Sequence, residues 1–187
     1  MPTFTASDLR SLAEGVLGAV GTPADSARIV SDSLVEANLM GHDSHGVIRL
    51  LDYVAMVRRG QIIPAAQPVV TAHSGAVAHI DAARGWGQVA ARLATETVIA
   101  TARDYGVGAV VIDHCNHIGR LGEYAERITR AGMIGIALCN AESIVAPFGG
   151  RSAIFGTNPL ALAAPRGADE APLLVDFATA GIAEGKV

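Results

Sequence analysis

At 187 residues, the chain is long enough to bury a sizeable core, as one large domain or two small ones, without disulfide or metal staples. A net charge of -4 and a pI near 5.8 supply no basic field for phosphate backbones, which argues against nucleic acid and anionic membranes and leaves a small molecule as the expected partner. Only 17% of residues are charged and 50% are apolar, with a mean hydropathy of +0.36, against about 25% charged in an average soluble domain; even allowing for abundant alanine, the excess predicts a face covered by a partner subunit or by further chain.

Ser7 is placed to cap a first helix, whose Leu9, Leu12, Val16 and Leu17 recur at helical spacing until Gly21. Thr22 and Pro23, with Asp25 three residues after Thr22, open a second helix that runs to about Met40 and stops at Gly41. A third amphipathic helix is predicted from about Gly46, capped by Asp43 or Ser44. Val47, Leu50, Leu51, Val54 and Val57 form its apolar face and Gly60 follows its last turn. Pro64 and Pro68 mark a linker, so that residues 1–66 read as an N-terminal helical domain and 67–187 as an α/β domain. That second part is predicted to hold a hairpin at 69–72 and 77–81, a helix over 88–105, a short buried strand at 107–113 and a helix near 120–131. Strands at 134–139, 159–164 and 173–177 complete it. The apolar runs fall far below the roughly 18 residues that span a bilayer. Two cysteines, Cys115 and Cys139, in a chain without an apolar leader fit a reducing compartment, and the cytoplasm is the expected location.

The stretch GHDSHGVIRLLDYV, residues 41–54, concentrates polar chemistry in a chain otherwise poor in charge. A cap at Asp43 or Ser44 puts His45 in the first helical turn and Arg49 one turn later on the same side. A histidine near the positive end of a helix has its cation disfavoured, which suits a proton donor or polarising group, and an arginine fork matches a carboxylate. The pair suits a 2-oxo acid. Taken alone, the stretch is explained equally well by a capping serine, a packed histidine and a solvated arginine. A second cluster, His114-Cys115-Asn116-His117, stands at the carboxyl end of the strand that finishes at Asp113, where α/β sites lie. Two functional readings stay open: acid/base chemistry, or a zinc site drawn from His42, His45, His114, Cys115 and His117. Both histidine pairs are spaced i and i+3, whereas helical ligand pairs favour i and i+4, and neither HExxH nor CxxC occurs; both facts weigh against metal. His73 and His79, in the hairpin, read as structural. Residues 85–90, GWGQVA, match GxGxxA between a strand and a helix. The acid at Asp113 is farther off than the usual ~20 residues and a tryptophan sits awkwardly in a phosphate turn, so a simple glycine turn is the better reading. No GxxxxGK[ST] or GxSxG is present, which argues against phosphoryl transfer and serine hydrolysis.

Together with HCNHIGRLGEYAE (114–126), VAPFGGR (145–151), FGTNPLALAAP (155–165) and LVDFATAGIAEGKV (174–187), the 41–54 stretch resembles the type 2 malate/L-lactate dehydrogenase family. That family includes hydroxycarboxylate, sulfolactate and ureidoglycolate dehydrogenases and a cyclic imino acid reductase, and the resemblance runs from Leu9 to Val187. It implies a mixed-sheet α/β cofactor domain that is not a Rossmann fold, which overrules the 85–90 match. It also implies a homodimer and an NAD- or NADP-dependent exchange between a malate- or lactate-like 2-hydroxy acid and its 2-oxo acid. By resemblance, His117 aligns with a catalytic acid/base, Ser44 and His45 with a relay and proton donor, and Arg49 with the substrate carboxylate contact. Thr157 would face the substrate. His117, Ile118, Gly119, Arg120 and Leu121 would line the cofactor, and Asp176, Phe177 and Ala178 would hold the nicotinamide nucleotide; no metal is implied. Ala141 stands where some relatives carry a cofactor-contacting serine. Family members are nearly twice as long, so this chain is expected to match their N-terminal half. Two other readings compete: a metal-dependent hydrolase using the clustered histidines, and an inactive truncated half of a dehydrogenase.

Overall fold

In a computed structural model describing residues 3–167 and 170–181, the apolar period of the first sixty residues becomes helices α1 (Ala6–Ala19), α2 (Ala24–Leu39) and α3 (Leu50–Arg58). The last six residues of the 174–187 motif lie outside the described residues. Thr5 caps α1, where Ser7 was expected. The Thr5 hydroxyl accepts the Asp8 N–H at 3.1 Å and the Asp8 carboxylate accepts the Thr5 N–H at 3.3 Å, a reciprocal pair that Ser7, already inside the helix, cannot make. Helix α3 starts later than its period predicted, and neither Asp43 nor Ser44 caps it. Asp43–His45 and Val47–Arg49 are separate 3-10 turns, divided by the extended Gly46. Asn38 of α2 fastens both: its amide donates to Asp43 at 2.6 Å and its carbonyl accepts the Val47 N–H at 2.9 Å. A Cβ at position 46 would collide with that Asn38 side chain, which is why glycine stands there. The later start rotates the buried face, so that Leu50 and Tyr53 point into the core and Leu51 is 78% exposed.

Strands β1 (Val69–Ser74) and β2 (Val77–Asp81) pair antiparallel, and after α4 (Gly87–Tyr105) the chain returns as β3 (Ala109–Asp113) parallel to β2. This is the expected strand–helix–strand unit, closed at Gly106, whose φ of +77° ends α4. Strand β3 is half-exposed, not buried as its apolar run suggested, because it forms an edge of the three-stranded sheet β1-β2-β3. Trp86, at the start of α4, is buried with Leu17, Leu34, Leu50 and Tyr53 in one apolar cluster. The glycines of the GxGxxA match are explained by packing. A Cβ on Gly85 would come within 2.8 Å of the Ala66 carbonyl oxygen, and one on Gly87 would collide with the Asn116 and His117 carbonyls.

Beyond residue 120 come α5 (Gly122–Arg130), β4 (Gly135–Leu138), β5 (Leu160–Ala164) and β6 (Leu173–Phe177), the strands forming a second, wholly antiparallel sheet in the order β4-β5-β6. Helix α5 packs on β4 and β5, and Ala161 and Ala163 are fully buried. The class is thus α/β with mixed and antiparallel sheets, and neither sheet is a doubly wound parallel one. The chain forms two compact units, Met1–Arg120 and Leu121–Val187, a different division from the 66/67 boundary expected at the prolines. Helix α4 packs on α2 as well as on β2 and β3, and Ile62 shares a cluster with Trp86 and Val89. The helices and the first sheet are therefore held together.

Two glycine-to-alanine changes should have opposite signs. Gly87→Ala is expected to lose about 1–3 kcal/mol from overpacking against backbone. Gly15→Ala, in open space within α1, is expected to gain about 0.5–1 kcal/mol. Urea unfolding of both variants checks the pair.

Candidate active site

The carboxyl ends of β2 and β3 are laced together before any site residue is placed. Ala83 and Arg84 have left-handed φ of +50° and +57°. This turn is held by the Ala83 N–H on Asp81 at 2.7 Å, the Arg84 N–H on the His114 carbonyl at 3.0 Å, and the Asn116 amide on the Arg84 and Gly85 carbonyls at 3.0 Å each. The Ala83 N–H, and then His114 at 3.1 Å, hold the Asp81 carboxyl below its ordinary range. His114 and Asn116 are therefore spent on the turn. From the four-residue cluster read from sequence, His117 reaches Tyr53 and His45 of the 41–54 stretch.

There the expected residues converge, within the first compact unit. The His45 and His117 rings stack with centroids 5.5 Å apart and planes 23° from parallel. Ser44 Oγ lies 3.0 Å from His45 Nδ1. Arg49 donates from Nε to the Ser44 carbonyl at 2.6 Å and from a terminal nitrogen to Asp52 at 3.3 Å, and its charge is felt at His117. Two residues join that were not singled out from sequence. The buried Tyr53 hydroxyl lies 2.8 Å from His117 Nδ1, and the buried Gln88 amide donates to it at 2.6 Å. Burial, reinforced by His45 and Arg49, pushes the His117 value down to about 3, and burial pushes the Tyr53 phenol well above its ordinary range. The arrangement thus sets a guanidinium beside one neutral imidazole and a second imidazole in contact with a hydroxyl, groups of the kind that can pair with a carboxylate and exchange a proton.

Gly119 is buried with φ +79°, and Arg120, 4% exposed, lies beside Glu36 at 3.5 Å, so this stretch offers its backbone more than its side chains. In the second unit, Leu121 and Thr157 are buried and the Thr157 carbonyl accepts the Thr179 N–H and hydroxyl, both at 2.9 Å. Asp176 accepts the Gly122 N–H at 2.7 Å, and Phe177 is exposed.

A nicotinamide dinucleotide requires a phosphate cradle and partners for its ribose and ring. Residues 85–90 cannot provide the cradle, because their glycines face carbonyl oxygens, which repel phosphate. Asp176 to Ala178 fit the nucleoside part: a carboxylate fixed by one N–H, an exposed ring and a small residue suit hydroxyls and a flat heterocycle. Among the described residues no group of three or more His, Cys, Asp or Glu side chains is arranged to hold a metal ion. The hydrolase reading loses its ligand set because His114 is turned to Asp81. No helix among the described residues is long and apolar enough to cross a membrane.

A protein-family model described as malate/L-lactate dehydrogenase matches residues 4–187. Hydroxycarboxylate dehydrogenase B of Escherichia coli (strain K12) is 39% identical over 185 residues, 98% of this chain and 51% of its own. The (2R)-3-sulfolactate dehydrogenase (NADP(+)) of Chromohalobacter salexigens is 37% identical over 180 residues, covering 96% and 54%. The solved structure of malate dehydrogenase from Pyrococcus horikoshii OT3 superposes with a TM-score of 0.94 at 39% identity, over 99% of this chain and 53% of that one. The chain spans about half the length of the curated relatives it matches.

The depressed His117 value has a consequence for stability. Between pH 6.5 and about 3 the unfolded chain binds a proton at this ring that the folded chain refuses. The contribution is therefore complete above 6.5 and is lost as pH falls through that window. Urea unfolding at pH 7 and pH 4 should show His117→Asn losing less stability across the interval than the parent protein; equal losses would contradict the burial of a neutral ring.

Proposed function

The chain belongs to the malate/L-lactate dehydrogenase family, and on that footing we propose that the protein interconverts a small malate- or lactate-like 2-hydroxy acid and its 2-oxo acid with NAD or NADP. The observation that carries this reading is the stack of His45 on His117 beside Arg49. Arg49 pairs with the substrate carboxylate and Thr157 faces the substrate. Ser44 and His45 form the proton relay, and His117 meets the reacting oxygen. Residues 117–121 and Asp176, Phe177 and Ala178 line the cofactor, which supplies the hydride when bound. Proton exchange at the oxygen and orientation of the carboxylate are what the protein's own groups add. We assign the same protein to the cytoplasm, with a small-molecule substrate and neither nucleic acid nor membrane as partner. It acts as a homodimer, a state favoured by exposed apolar side chains such as Ile48 and Leu51, at 65% and 78%.

A panel of 2-oxo acids with NADH and NADPH tests the reading. Turnover is expected with at least one acid. Arg49→Lys should raise KM because a point charge replaces a two-pronged fork, and His45→Asn should lower kcat by about 10²–10⁴-fold. Turnover insensitive to both changes would refute the assignment.

A further inference from the structure

The Tyr53 oxygen accepts an N–H from Gln88 at 2.6 Å and lies 2.8 Å from His117 Nδ1. An amide N–H has no lone pair to accept with, so the single phenolic hydrogen must go to Nδ1. Nδ1 is then an acceptor, and the imidazole hydrogen must sit on Nε2. His117 makes no hydrogen bond through Nε2 among the described residues.

We propose that Gln88 and Tyr53 are positioning residues that lock His117 in the tautomer with hydrogen on Nε2, so that it meets the substrate oxygen as a neutral donor while His45 gives and takes the proton. The second half of this statement rests on the dehydrogenase reading; the first does not. In the reducing direction a bound nicotinamide would supply the hydride for the new C–H bond, leaving the carbonyl π pair on oxygen. The oxygen takes a proton from the His45 imidazolium, and His117 keeps its own hydrogen throughout, donating a bond that strengthens as charge develops.

The same chain opposes protonation of His117. An added proton at Nδ1 would face a Tyr53 oxygen already accepting from Gln88, and the phenolic hydrogen would lose its acceptor. The stacked His45 and nearby Arg49 oppose it further by their charge. Tyr53 and Gln88 are 2% and 1% exposed, so water does not replace the missing partners. The direction of the whole chain depends on the Gln88 amide. Were its oxygen toward Tyr53, the phenol would donate to Gln88, and His117 would have to carry its hydrogen on Nδ1.

Long-range ¹H–¹⁵N spectra of the full chain labelled in histidine read the tautomer directly, with no substrate required. The parent protein should show His117 Nδ1 as an unprotonated nitrogen and Nε2 as a protonated one, unchanged from pH 8 to pH 5. Gln88→Glu keeps the shape and turns the donor into an acceptor, so the tautomer should invert or the ring should become protonated. Tyr53→Phe should release the lock and give a tautomer mixture. If the assay of 2-oxo acids shows turnover, Gln88→Glu should lower kcat by about 10²–10³-fold with KM little changed. A hydrogen found on Nδ1 in the parent protein, or a His117 spectrum indifferent to Gln88→Glu, would overturn the proposal. A locked ring in a protein without turnover would leave the lock standing and count against the dehydrogenase reading alone.

Discussion

The Tyr53 hydroxyl has one hydrogen to give and one neighbour able to take it. It sits where α3, α4 and the loop after β3 meet, its ring edge-on to Trp86 at 5.6 Å and its oxygen between Gln88 and His117. A polar group buried there is tolerable only with both bonds made, since an unmade one costs roughly 1–3 kcal/mol. Three segments distant in sequence are thereby tied to one geometry. Close approach of backbone makes the meeting possible: with no side chain at Gly87, the first turn of α4 lies directly against the carbonyls of Asn116 and His117.

Around that junction the division of labour among similar residues follows from what each has left to bond. His114, the residue after the last of β3, is held by Asp81 and closes the turn before α4. His73 and His79 have partners of their own in Thr101 and Asp113, and take no part in the junction. His45 and His117 are turned toward each other, and Arg49 is anchored to the Ser44 carbonyl with its charge near His117. An arginine so fixed loses little freedom on meeting a carboxylate, which is the advantage of preorganisation.

Much of this was legible in the sequence. The helical period placed α1, α2, α4 and α5 within a few residues, and the turn at Gly75 separated β1 from β2. The concentration of Ser44, His45, Arg49 and His117 at loop-to-helix junctions pointed to the cluster that the structure brings together, because such residues are costly to place in a core. What stayed hidden was hidden for physical reasons. Tyr53 stands four residues after Arg49 in an apolar helix, where an aromatic reads as core, and its hydroxyl matters only through partners 35 and 64 positions away. Gln88 was masked by the glycine pattern around it. The start of α3 was misplaced because Asn38, on another helix, decides where the 3-10 turns end. The compact units divide after Arg120, because α4 packs on α2 as well as on β2 and β3, a tertiary fact that composition does not carry.

The central proposal is that His45, His117 and Arg49 together receive a 2-oxo acid, and titration with oxamate, an unreactive isostere of such an acid, tests it most directly. Histidine ring resonances followed by NMR should move for His45 and His117 and stay fixed for His73 and His79. Movement confined to the hairpin histidines, or none at His45 and His117 when oxamate is shown to bind, would contradict it.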